Sequence, residues 1–496
     1  MTSSPIVTSI DRSYDRNEWA KGYRSLKREY DYWIDEIEGT IPEGLTGTLF
    51  RNGPGMLDVA GTPVQHPFDG DGMVCALTFQ NGRAHFRNRY VETEGYVAEQ
   101  KAEKVLYRGV FGTQRSGGWW ANAFDTKLKN IANTQVIYWG GKLLALWEAA
   151  EPHRLDPGSL ETLGLEFFNG KLKPGDAFAA HPWVDPASHF DGGEPCLVNF
   201  SIEAGLAFKL NVYELNLAGE IVRQQSHQIP GFAFIHDFAI TPNYCIFFQN
   251  PVKFNPLPFV LGFRGAGECL QFQPDRPTKM IVIARDGRSA PQVLEARSGF
   301  VFHHANAFEE NGQIVVDSIC YESLPSVEPG SDFRQTNFEA LSPGQLWRFR
   351  LDLAAGTVDR TSLNARCCEF PVVHPALVGR NYRYTYMGAA DRPVGNMPLQ
   401  AIAKVDVTTG EEILHSFAPH GYVSEPIFVP RNEAYPLQGA EDDGWVLTMV
   451  YDGERDRSSV VILDGQTLAP VSRLWLKHHV PYGLHGTFTP EVFISQ

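Results

Sequence analysis

The sequence predicts an all-β fold, a seven-bladed β-propeller with a few helices and long loops capping the metal face, and three observations lead there. Short alternating stretches rich in β-branched and aromatic residues follow one another, as in MVCALTFQNGRAHFRNRYV, TQVIYWGGKLLALWE and WVLTMVYDGERDRSSVVIL, separated by GG, NG, DG and TG turn signals. That pattern is hairpin after hairpin. Ligand-type side chains recur at nearly one step: His181, His236, His303, Glu369, Glu425 and His485 are separated by 55, 67, 66, 56 and 60 residues. A unit of about 60 residues holds a four-stranded blade plus one long connection, and about seven such units fill the 496-residue chain once an N-terminal arm is set aside.

Residues 1–37 read as that arm, polar and rich in aromatics, with a short helix expected around Trp19–Tyr30. Strands follow almost without interruption. With 46 Gly, 33 Pro and only one or two helical stretches, a parallel α/β sheet does not fit. No linker rich in Pro, Ser or charge divides the chain, so residues 1–496 are expected to form one domain. Two stretches break the strand pattern. Gly109–Asn130 carries Phe111, Trp119, Trp120 and Phe124 between polar residues, and Pro251–Gly265 crowds Phe254, Leu257, Phe259, Val260, Leu261 and Phe263 together, flanked by Lys253 and Arg264. Either these pack as core under long loops, or they form the apolar rim of a tunnel that dips into a bilayer.

Composition limits the partners. A net charge of −15 without a basic patch argues against nucleic acid. The seven cysteines include the adjacent pair Cys367 and Cys368 but no C-x-x-C, so neither a disulfide framework nor a zinc ribbon is indicated, and free thiols fit a reducing compartment. The first residues lack the apolar core of a signal peptide, and no 18-residue apolar span occurs. The expectation is a cytoplasmic protein, soluble or peripherally attached to a membrane surface, with no feature that calls for an obligate protein partner.

Imidazoles and carboxylates delivered once per unit to a common axis would make a metal centre. On residue type alone, however, the other eleven histidines compete for the same role.

Nine segments, taken in order, narrow that choice: RNGPG (Arg51–Gly55), HPFDGDGM (His66–Met73), NIANT (Asn130–Thr134), ALWE (Ala145–Glu148), GFAFIHDFAIT (Gly231–Thr241), FVFHHANAFEENG (Phe300–Gly312), EFPVVHP (Glu369–Pro375), YVSEPIFVPR (Tyr422–Arg431) and PYGLHGTF (Pro481–Phe488). Through them the chain resembles the carotenoid cleavage oxygenases essentially end to end. The resemblance implies one non-haem Fe(II) per subunit, held by His181, His236, His303 and His485. His303 is chosen over His304 because the family pattern reads F-H-x-x-N, here Phe302, His303 and Asn306. It further implies that Glu148, Glu369 and Glu425 accept hydrogen bonds from the far nitrogens of ligand imidazoles, which fixes tautomer and ring orientation. Thr134 is placed with its methyl group near an open metal position, and Trp147, Phe234 and Phe302 as aromatic walls for a conjugated substrate. The implied activity is cleavage of the central 15,15' double bond of a lipophilic apocarotenoid by O2, giving retinal and a second aldehyde. Cleavage of stilbenes, cleavage at another carotenoid bond, isomerisation on the same fold, and a propeller scaffold with a structural metal are the alternatives. Tunnel polarity, products and reactivity toward dioxygen separate them.

Overall fold

A computed structural model of the chain describes residues 14–203, 208–325, 329–432 and 435–494. Residues 1–13 of the expected arm lie outside the described residues. Seven antiparallel sheets of four to six strands are arranged as the blades of a propeller. The turn chemistry is what the sequence demands. Asn81–Gly82, Gly140–Gly141 and Asn311–Gly312 all adopt positive φ, the requirement of a tight two-residue hairpin turn.

The innermost strands, in blade order, are Gly486–Thr489, Gln135–Trp139, Trp183–Asp185, Phe238–Ile240, Phe300–Glu310, Cys368–Val372 and Gly421–Val423. Inner strands of neighbouring blades touch near the axis, as Gly486–Thr489 does Gln135–Trp139 and Phe300–Glu310 does both Phe238–Ile240 and Cys368–Val372. The ring closes twice. Near the axis, Gly486–Thr489 from the C-terminal end pairs with Gly47–Arg51 in the first blade. At the periphery, Asp31–Trp33 pairs with Arg83–Tyr90 of the first blade while Glu36–Gly39 pairs with Pro470–Trp475 of the seventh. The arm thus ends in two outer strands that staple the last blade to the first. Between blades the core is apolar and aromatic, as where Phe200 of one blade meets Phe238 of the next edge-on at 5.1 Å.

The N-terminal helix differs from the expectation around Trp19–Tyr30. It spans Arg16–Lys21, capped by the Asp15 side chain on the Asn17 and Glu18 amides. It stops at Gly22, where a Cβ would lie 2.4 Å from the Tyr482 ring, and the outer strand already begins at Asp31. A nine-residue helix, Glu94–Ala102, was not legible as one. Its start is set by Thr93, whose hydroxyl accepts the Tyr96 amide.

Candidate metal centre

Each blade delivers one of the singled-out side chains at, or within two residues of, its innermost strand: Thr134, His181, His236, His303, Glu369, Glu425 and His485. Glu148 is the exception, standing just past the second strand of its blade, Lys142–Leu146. The four histidines converge. Their ligand nitrogens lie within 4.8 Å of one another, with His181 Nε2 2.9 Å from His236 Nε2 and the latter 3.2 Å from His303 Nε2.

Three carboxylates orient three of these rings. Glu148 Oε1 lies 2.7 Å from His236 Nδ1, Glu369 Oε2 2.5 Å from His303 Nδ1 and Glu425 Oε1 2.8 Å from His485 Nδ1. Among the described residues no carboxylate pairs with His181. Burial works against ionising the glutamates. The imidazoles nevertheless hold all three below the usual carboxylate range, helped by Tyr321 at Glu369 and Arg51 at Glu425. Burial and the neighbouring rings push His181 well below its ordinary value. Burial also outweighs Glu425 at His485, whereas at His303 Glu369 prevails over burial and raises it.

These residues fit a metal ion. With each Nδ1 proton given to a carboxylate, the Nε2 lone pairs of His236, His303 and His485 face the centre, an approach that is repulsive unless a cation lies between them. Two imidazole nitrogens bound at right angles about 2.1 Å from one ion lie about 3.0 Å apart, close to the separations found.

His304 faces the other way, its Nδ1 2.7 Å from the Ser318 hydroxyl and its ring against Phe248, as strand alternation requires. Thr134 is buried, and its hydroxyl donates to Asn133 Oδ1 at 3.1 Å. Trp147, Phe234, Phe302 and Thr134 all line a cavity of about 380 Å³ that touches His236, His303 and His485. Its remaining wall includes Phe68, Phe111, Phe200, Ile202 and Ala233. A second chamber of about 330 Å³ meets it at Phe68, Tyr321, Glu369, Phe370 and Leu484. On the other side of the histidines an axial funnel of about 680 Å³ opens along the propeller. The chain passes from one side to the other through each ligand. Asn133, Ala179, Ile235 and Phe302, which precede site residues, line the apolar cavity, whereas Gln135, Pro182, Asp237, His304 and Gly486, which follow them, line the funnel. The histidines form the waist.

Four contributors were not identified in the sequence. Arg51 forms a buried ion pair with Glu425 and donates to the Leu484 carbonyl at 2.9 Å. Tyr321 donates to Glu369 Oε1 at 2.6 Å. Asp237 accepts the His304 amide at 2.8 Å. Phe370, at φ +58°, leans on both His303 and His485. Arg51, Asp237 and Phe370 stand in the quoted RNGPG, GFAFIHDFAIT and EFPVVHP segments, which were their only signal.

The two aromatic stretches pack on each other. The Phe124 amide donates to the Val260 carbonyl at 2.7 Å, and Trp119 stacks on Phe263. Trp119, Trp120, Phe124, Leu257 and Phe263 are exposed, Trp120 by 81%. Phe259 corrects the expectation of a rim residue: it is buried beneath the Arg108 guanidinium, 4.3 Å from its ring centre. Phe254, Val260 and Leu261 are half-buried, and Phe111 belongs to the cavity wall. Among the described residues no helix is long and apolar enough to cross a membrane.

The family model described as retinal pigment epithelial membrane protein matches residues 23–490. The apocarotenoid-15,15'-oxygenase of Synechocystis sp. is 56% identical over 491 residues, covering 98% of this chain and 99% of that protein. Isoeugenol monooxygenase of Pseudomonas putida is 31% identical over 467 residues, covering 91% and 93%. The crystal structure of cobalt-substituted Synechocystis ACO superposes with a TM-score of 0.94 at 56% identity, covering 96% of this chain and 99% of that one.

Proposed function

This chain belongs to the retinal pigment epithelial membrane protein family, the carotenoid oxygenases, and from that premise we propose that it cleaves the central 15,15' double bond of apocarotenoids with dioxygen, giving retinal and a second aldehyde. The observation that carries the reading is an apolar, aromatic-walled cavity ending on four converging imidazoles. His181, His236, His303 and His485 would hold Fe(II), a choice supported by four neutral nitrogen donors with no thiolate or directly bound carboxylate. When bound, Fe(II) supplies the redox-active site at which dioxygen is engaged.

The chain's own residues do the rest. Glu148, Glu369 and Glu425 keep their protons on Nδ1 of the partner histidines, so that Nε2 remains a donor. Trp147, Phe234 and Phe302 exclude water and confine a rigid polyene, and aromatic faces stabilise cationic character developing along it. Thr134 narrows the space beside the imidazoles. The two chambers, joined at Tyr321 and Phe370, accommodate the two ends of a substrate whose central bond lies at the waist. Addition of both atoms of O2 across that bond breaks it into two carbonyls and needs no further reductant.

The exposed set Trp119, Trp120, Phe124, Leu257 and Phe263 supports peripheral attachment to a bilayer, from which a lipophilic substrate would be drawn. Apolar walls favour an apocarotenoid over a phenolic stilbene. Turnover under ¹⁸O₂ tests the reaction: one labelled oxygen in each aldehyde supports cleavage by a dioxygenase, and label confined to one product refutes it.

A further inference from the structure

We infer that the axial funnel is the route by which the divalent cation reaches the four histidines, separate from the route taken by the organic substrate. The inference rests on the reading of those histidines as metal ligands and adds the path of loading. His303 and His485 line both chambers and His181 lines the funnel, so an ion can arrive at the waist from either side. The two sides are not equivalent. A hydrated dication passing through the apolar cavity would exchange its water for Phe, Ile and Ala side chains, which cannot replace the lost hydration. The cavity is also where the polyene is proposed to lie.

The funnel is the wetter and more polar of the two. Its rim is exposed at Leu217 and Tyr435, so it opens to water. Neither chamber has Lys or Arg among its described lining residues, and each has two carboxylates beside the imidazoles, Glu148 and Glu369 in the cavity and Asp237 and Glu425 in the funnel; what the funnel adds is a polar wall that includes Gln135, Tyr138, Thr487 and Thr489. Asp237 is fixed there by the amides of Phe238 and His304, at 2.7 and 2.8 Å. Polar side chains along the wall replace part of the ion's lost hydration, and the Asp237 carboxylate attracts it, Glu425 being already neutralised by Arg51. Ile427 and Thr487, two residues beyond Glu425 and His485, line the funnel.

The test follows Co(II) uptake by the metal-free protein through its visible absorption, and Co(II) release to excess EDTA. Ile427→Trp narrows the funnel and Ala233→Trp the cavity. A third variant, Thr487→Cys, is blocked after folding with a bulky maleimide, so that failure to fold cannot imitate a blocked path; the native cysteines are all buried and unmodified. The expected result is that Ile427→Trp and the modified Thr487→Cys slow uptake and release by the same factor, at least about tenfold, leaving affinity and spectrum unchanged. Ala233→Trp should load at the wild-type rate. Wild-type rates with the funnel blocked, or slowed loading with the cavity blocked, would overturn the route. A wild-type protein that binds no Co(II) would overturn the metal reading itself, and the route with it.

Discussion

Glu369 holds the Nδ1–H of His303 at 2.5 Å, and this contact distinguishes two adjacent histidines. His303 presents Nε2 to the axis, while His304 is turned to Ser318 on the next strand. The carboxylate is itself held, since Tyr321 donates to its other oxygen at 2.6 Å and the Phe370 amide to Oε2 at 2.8 Å. The position of the imidazole is therefore fixed by a chain of hydrogen bonds running outward from the site.

That chain predicts a graded response. Glu369→Gln removes the negative charge and one of the two acceptor oxygens that serve His303, Tyr321 and the Phe370 amide, and should weaken metal binding about 10- to 100-fold. Tyr321→Phe keeps the carboxylate and should cost less than Glu369→Gln. Competition titration with a chelator measures both, and equal losses would mean that Tyr321 acts on more than Glu369.

The aromatic patch separates surface from support. Replacing Trp120 and Phe124 with Ser removes exposed rings and should reduce sedimentation with liposomes while leaving the urea midpoint unchanged. Phe259→Asp places a carboxylate under Arg108 in a buried site and should instead lower stability, by about 1–3 kcal/mol or more. Undiminished liposome binding by the Trp120 and Phe124 double variant would return the patch to a packing role.

Two buried histidines outside the site give the fold an acid limit. Burial pushes His153 and His374 down to about 4 from an ordinary 6.5. Between those values the unfolded chain binds protons that the folded one does not, so stability falls as pH drops from 6.5 toward 4 and is fully regained above it. Urea midpoints across that range should decline, and His153→Phe should flatten the decline. A profile unaltered by the substitution would assign the acid sensitivity elsewhere.

The propeller was legible because its repeat is written twice, in turn-flanked alternating strands and in a ligand-type residue about every 60 positions. Each inner strand brings a site residue to the axis, which is why His181, His236, His303, Glu369, Glu425 and His485 could be read from spacing. Glu148 follows a second strand, outside that rhythm, and only the family resemblance pointed to it. Tyr321 and Arg51 act through partners 48 and 374 residues away, and nothing local marks such contacts. Phe370 adopts a left-handed backbone before Pro371, a position where the following proline favours extended geometry. Its place between two imidazoles follows from the irregular pairing between Glu369 and Val372, which no propensity announces. Phe259 looked like its exposed neighbours because burial beneath Arg108 is a tertiary fact.

The most direct measurement incubates the Fe(II)-loaded protein under air with β-apo-8'-carotenal in detergent and identifies the products by chromatography and mass. The account predicts retinal from the wild type and from His304→Phe if that variant remains folded, and none from His303→Ala, which should also lose its metal. Aldehydes of other lengths would move the bond that lies at the waist, and retinal from metal-free His303→Ala would contradict the four-histidine centre as the site of cleavage.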